Sequence, residues 1–234
     1  MEESEIKEGK IELTAACDGL LKVDRDRLKQ INQFGQMMIA SRHGNTSVKK
    51  GDKLAGMRII PLVIEKEKME AVKTQCGEKP ILTLLPFKEK KAAILTTGNE
   101  VFYGRIKDQF IPTIEEKLSE YDAELVICTG GMSVDPDDKT PLDIKNTGAE
   151  IVSYGAPVLP GAMFLLSYYK EQVPVTGLPG CAMYARRTIF DLVLPRIMAD
   201  DKITAEELGN LGEGGLCLNC EQCTYPNCGF GKGW

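Results

Sequence analysis

Three observations predict an α/β fold for the larger part of this chain. Between Glu89 and about Met198, short apolar runs of strand character alternate with segments of helical periodicity. Two of those runs end in glycine-bearing turns, Thr129-Gly130-Gly131-Met132-Ser133 and Gly177-Leu178-Pro179-Gly180. Glycine turns at strand ends point backbone N–H groups at an anion, and ligands of α/β sheets sit beyond the carboxyl ends of the strands. Two such turns in one unit suggest a ligand that carries phosphate.

Composition sets the outer bounds. The 234 residues suffice for one large domain or two small ones. A hydrophobic content of 43% with 27% charged residues fits a globular protein with a true core. The formal net charge is −5 without a long basic block, which argues against nonspecific nucleic-acid binding. No apolar run reaches the ~18 residues needed to span a bilayer, so no membrane association is expected. Met1-Glu2-Glu3-Ser4-Glu5 lacks the shape of a signal peptide. The expected compartment is the cytoplasm, where thiols stay reduced. The eight cysteines are therefore expected to be free, metal-bound or cluster-bound rather than paired.

The first section, residues 1–88, reads as a small β-rich α+β or partly barrelled module. Lys10 to Leu13 and Leu20 to Val23 are strands around Cys17-Asp18-Gly19. Asp24 to Phe34 is a helix, with Leu28 and Ile31 at helical spacing and Gly35 as its stop. Met37 to Ala40, Thr46 to Val48 and Arg58 to Ile64 are strands around the polar turn Lys49 to Asp52. Lys66 to Gln75 is a helix. The lone histidine, His43, sits in a polar loop and reads as solvated rather than catalytic.

The second section, residues 89–199, is the α/β unit. Its strands are Lys91 to Thr96, Leu125 to Cys128, Ile151 to Tyr154 and Val173 to Thr176. Asp108 to Tyr121 is a helix with Phe110, Ile114, Leu118 and Tyr121 on one face. Thr140-Pro141-Leu142-Asp143 starts another, with Thr as N-cap and Pro at N1. Ala182 to about Leu194 is the last. Thr97-Gly98-Asn99-Glu100 is a third loop at the same kind of strand end. Ser133 can donate to a ligand oxygen, and Asp135, Asp137 and Asp138 can hold Mg²⁺ or repel a wrong anion. Gly130→Val is expected to close the backbone approach and weaken binding at little cost to the fold.

The third section, residues 200–234, opens on the capping box Thr204-Ala205-Glu206-Glu207. It ends in a cysteine-rich tail, Cys217-x2-Cys220-x2-Cys223-x4-Cys228. Four thiols this close suggest a metal. The spacing is near the bacterial iron–sulfur run, with four residues rather than three before the last cysteine and Gly229 where that run has proline. An iron–sulfur cluster, Zn²⁺ and free or redox-active thiols all remain open.

Taken in order, Thr97-Gly98-Asn99-Glu100, Gly104-Arg105-Ile106-Lys107-Asp108, Thr129 to Ser133, Asp137-Asp138 and Gly177 to Gly180 resemble the molybdopterin-binding domain family of molybdenum-cofactor biosynthesis. That family includes molybdopterin adenylyltransferase and molybdopterin molybdenumtransferase. The wider chain looks like an anaerobe-type branch with a cysteine tail. The resemblance implies a mainly parallel sheet flanked by helices, and molybdopterin as the ligand. Thr97, Gly98, Asn99, Glu100, Thr129, Gly130, Gly131, Ser133, Gly177, Leu178, Pro179 and Gly180 would line its pocket. Asp137, Asp138 and Ser133 would serve catalysis with Mg²⁺. The implied chemistry is a transferase reaction, either adenylylation of molybdopterin by ATP or molybdate insertion, in a homo-oligomer (dimer or trimer).

The chain departs from the family pattern in two places. One strand–helix unit of the family has no counterpart before Leu125, and Cys181-Ala182-Met183 replaces the usual Asn-Pro-Val/Ser. These departures admit a second reading, a noncatalytic molybdopterin carrier or sensor with a redox or metal tail. A third comes from Pro136 to Thr140, which also resembles a nucleotide pyrophosphatase-like hydrolase.

Overall fold

The computed structural model describes residues 1–60, 63–96, 123–132, 138 and 140–233. They form two compact units, Met1–Phe87 and Lys88–Trp234.

In the first unit the strands β1 (Glu2–Glu3), β2 (Lys10–Thr14), β6 (Lys53–Ile59) and β4 (Met37–Ser41) make one antiparallel sheet, in that order. A second holds β5 (Thr46–Val48), β3 (Gly19–Val23) and β7 (Leu82–Pro86). Ala15, Leu21, Val48 and Leu54 pack into a shared core. Helix α1 (Arg25–Gln33) starts where Asp24 accepts a hydrogen bond from the Arg27 N–H at 3.0 Å, and it buries Ile31. Helix α2 spans Lys66–Cys76.

The strand expected over Arg58 to Ile64 lies earlier, at β6, because the chain enters the sheet directly after the polar turn at Lys49 to Asp52. Asp52 N–H donates to the Lys49 carbonyl, Asp52 Oδ2 accepts from Lys49 N–H, and Gly51 takes a φ of 86°. The chain is thereby extended from Lys53 onward. His43 is tied down by Arg25, 3.2 Å from its Nε2, and by the Gly44 carbonyl, 2.8 Å from its Nδ1.

The second unit is built on a five-stranded sheet in the order β10 (Glu150–Tyr154), β11 (Leu165–Tyr169), β12 (Val173–Leu178), β9 (Ala123–Thr129) and β8 (Lys90–Thr96). Helix α3 is Thr140–Asn146, α4 is Ile189–Met198 and α5 is Ala205–Gly209. The fold is thus α/β, but the expectation of a mainly parallel sheet needs correction. β8–β9 and β9–β12 pair in parallel, whereas β12–β11 and β11–β10 are antiparallel. The cause is a hairpin that sequence pattern does not announce. At Tyr169–Gln172 the chain reverses with Lys170 (φ 48°) and Glu171 (φ 62°) both left-handed, and Gln172 N–H donates to the Tyr169 carbonyl. Such turns usually recruit Asn or Gly, so β11 was not anticipated.

The helix expected from Ala182 also starts later. A 3-10 turn, Gly180–Met183, follows the second glycine turn, and α4 begins only at Ile189. There Thr188 and Asp191 form a reciprocal capping box, a stronger start signal than any residue nearer Gly180. Ile189, Phe190, Val193 and Leu194 are buried, as are Ile127, Leu165 and Leu166 of the sheet. The expected helix over 108–121 lies outside the described residues.

Candidate ligand site at the strand ends

Three parallel strands finish in register. Thr96, Thr129 and Leu178, the last residues of β8, β9 and β12, are side-by-side partners across the two ladders. The segments that follow Thr129 and Leu178 therefore leave the sheet at one edge, which is where α/β sheets take ligands. The Thr129 hydroxyl lies 3.4 Å from that of Thr96.

The first glycine turn is left-handed at two successive positions, Gly130 (φ 80°) and Gly131 (φ 54°). Side chains are disfavoured there by about 1–2 kcal/mol, so glycine is required by the backbone itself. The hydroxyl of Thr140 donates to the Gly130 carbonyl at 3.0 Å, which fastens the start of α3 to the turn. The expectation that Gly130→Val would cost the fold little is corrected by this φ.

The second turn is coupled to the first. Met132 is buried, and its thioether fills the space that a Cβ at Gly177 would need. Leu165 crowds the same point at 3.2 Å. Gly177 is therefore a packing requirement. Gly180, by contrast, faces open space: a Cβ there would touch nothing within 4 Å. Thr129 and Leu178 are both fully buried, so at these positions the backbone, rather than the side chain, is what can face a ligand.

Of the expected site residues, Thr129, Gly130, Gly131, Gly177, Leu178, Pro179 and Gly180 share this edge, and Asp138 is half-buried at the end of the first loop. Thr97, Gly98, Asn99, Glu100, Ser133 and Asp137 lie outside the described residues, as do Gly104 to Asp108. Burial pushes the Cys128 thiol upward, and that of Cys181 as well, so both are neutral packing groups.

The tail belongs to the second unit by its packing. Residues Gly215 and Cys217 exchange backbone hydrogen bonds with Leu159, forming a parallel bridge between Leu159 and Leu216. Phe230 is buried, and a Cβ at Gly231 would overlap Leu192 of α4. Cys217, Cys220, Cys223 and Cys228 all carry free thiols and line one cavity of about 220 Å³. Among the described residues no group of three or more His, Cys, Asp or Glu is drawn together tightly enough to hold a metal ion.

Arg187 borders the same cavity. It donates to Asp191 at 2.9 Å and lies 4.7 Å over the Tyr225 ring. Burial disfavours its charge, yet its bonds to Cys223 and Asp191 leave its pKa raised. The Tyr225 backbone N–H and the Arg187 guanidinium hold the Cys223 thiol below the ordinary thiol range. Arg187 went unnoticed in the sequence; its spacing of four residues from Asp191 was the available signal.

This arrangement defines an α/β domain with two glycine-bearing turns at one edge of its sheet. Residues 112–199 match the family described as a probable molybdopterin binding domain. No curated protein matches the chain. The match supports molybdopterin as the ligand class and a role in molybdenum-cofactor biosynthesis. Among the described residues no helix is long and apolar enough to cross a membrane.

Proposed function

We propose that the chain binds molybdopterin across the ends of β8, β9 and β12 and serves a transfer step of molybdenum-cofactor maturation, adenylylation by ATP or molybdate insertion. The carrying observation is the in-register alignment of Thr96, Thr129 and Leu178, with the left-handed pair Gly130–Gly131 directly beyond. Backbone N–H groups of the two glycine turns are suited to the terminal phosphate of the ligand. The buried Met132–Gly177 contact holds the turns in fixed relation, so a ligand spanning them meets preorganised donors.

Asp137 and Asp138 are the carboxylates at the end of the first loop, and oxygen donors of this kind suit Mg²⁺. The ion would neutralise charge on the transferred phosphoryl or molybdate oxygens. The protein's own share would be orientation: the turns would hold the phosphate, and Asp137 and Asp138 would hold the cation.

The reading is tested by equilibrium binding of molybdopterin under anaerobic conditions, followed by turnover. Mg²⁺ and ATP should yield adenylylated product, or the adenylylated ligand should release AMP only when molybdate is added. Saturable binding with neither product would make the chain a carrier. Hydrolysis of ADP-ribose without any affinity for the pterin would sink the proposal.

A further inference from the structure

The cysteine loop is not explained by a molybdopterin site, and its geometry discriminates between the metals its spacing admits. We propose that Cys217, Cys220, Cys223 and Cys228 form the socket of one iron–sulfur cluster of the four-iron type. All four thiols line a single cavity of about 220 Å³, in the same unit as the ligand edge. In ferredoxin-like runs of similar spacing the fourth cysteine can serve a different cluster. Here Cys228 borders the same cavity as the other three, so one occupant of that cavity has all four cysteines at its margin.

The size of that space selects a cluster over a single ion. Four thiolates bound to one Zn²⁺ at about 2.3 Å bring their sulfurs into mutual contact and leave no cavity between them. Among the described residues no trio of such donors is gathered about an ion-sized point. The four cysteines instead border a volume with room for several water molecules. An assembly of iron and sulfide fills such a volume while each thiolate binds a separate iron.

The surroundings fit an anionic occupant. Arg186 and Arg187 both border the cavity. The Nε of Arg187 is shielded from solvent and has no hydrogen-bond partner among the described residues. A buried N–H and a positive charge beside a thiolate-ligated cluster offset its negative charge and supply a donor to sulfur. Tyr225 and Phe230 stand edge to face, with ring centroids 6.3 Å apart, and close the apolar side. Gly229 leaves its side open, since a Cβ there would meet nothing within 4 Å.

The test uses the full chain, purified anaerobically and reconstituted with ferrous iron and sulfide. Iron and acid-labile sulfide in equal amounts, about four of each per chain, with a broad visible charge-transfer absorption, are expected. Cys220→Ser, an exposed position whose loss leaves the fold intact, should reduce iron uptake to less than half. Cys76→Ser, in the first unit, should leave it unchanged. Stoichiometric zinc that iron does not replace would overturn the proposal. So would trace iron after reconstitution of a folded chain, or equal iron uptake by Cys220→Ser.

Discussion

The phenol of Tyr225 donates to the backbone carbonyl of Asp191 at 2.9 Å, replacing a bond that helix α4 cannot make. The carbonyl of residue 191 would ordinarily accept from the N–H of residue 195, four positions on. That residue is Pro195, which has no N–H. A side chain from the cysteine loop thus completes the helix backbone. Tyr225→Phe should lower unfolding stability by about 0.5–1.5 kcal/mol, the net worth of a half-buried hydrogen bond. Pro195→Ala restores the helical donor, so the double variant should recover most of the loss. Denaturant titrations of the four proteins check this, and additive losses would refute it.

Gly177→Ala should be destabilising through overlap with the buried Met132 thioether, by about 1–3 kcal/mol. Met132→Ala alone removes core volume and also destabilises. Combined, the two changes should be less harmful than their sum, because the cavity left by one admits the methyl of the other. A coupling energy of zero in a double-mutant cycle would separate the two turns.

Gly130→Ala forces a Cβ into a φ of 80° and should cost about 1–2 kcal/mol. Gly130→Asn should cost less, since asparagine tolerates the left-handed region. Both should also weaken molybdopterin binding, read by equilibrium titration of the folded variants. Equal stability of the alanine and wild-type proteins would contradict the backbone assignment.

Arg196 is nearly buried, and its guanidinium bonds Asp201 and, at 2.8 Å, Glu207 of α5. Arg196→Met removes one ion-pair partner from Asp201, which is half-buried, and one from Glu207. A loss of about 1–3 kcal/mol is expected, the range for charge-assisted hydrogen bonds. Adding Asp201→Asn should return part of it. Thermal melts of the single and double variants give the comparison.

In the first unit, Glu12 lies between Lys10 and Lys53, 2.7 Å from the latter, and their ammonium groups lower its pKa from 4.5 to about 2. A lowered carboxylate pKa stabilises the folded state above the unfolded value, and the contribution disappears as pH falls from about 4.5 toward 2. Glu12→Gln should therefore flatten the acid limb of the stability profile in that window, lowering stability near pH 7 and leaving it unchanged below about pH 2. The effect should shrink in high salt, because both lysines are exposed. An unaltered acid limb at low salt would exclude the pairing.

Local signals were legible where one residue decides the structure. Asp24 and the Thr204–Glu207 box mark helix starts, and Gly35 marks a stop, because each acts within a turn of its own position. The strand-end location of Thr129 and Leu178 was equally readable, since apolar runs met glycine there. The antiparallel half of the main sheet was not. Lys170-Glu171 carries no turn composition, and only pairing with a neighbour strand makes its left-handed backbone worthwhile. The Met132–Gly177 contact and the convergence of Arg187 with Tyr225 join residues far apart in sequence, which no window-based pattern registers.

The bridge between Leu159 and Leu216 has a consequence for synthesis. The strands and α4 leave the ribosome before the segment that braces them, since residues 215–231 supply the Leu159 rung, the Asp191 donor and the packing over Leu192. The nascent α/β unit must therefore wait, incompletely closed, for a stretch of chain translated after it. Its final consolidation is timed by the arrival of the cysteine loop.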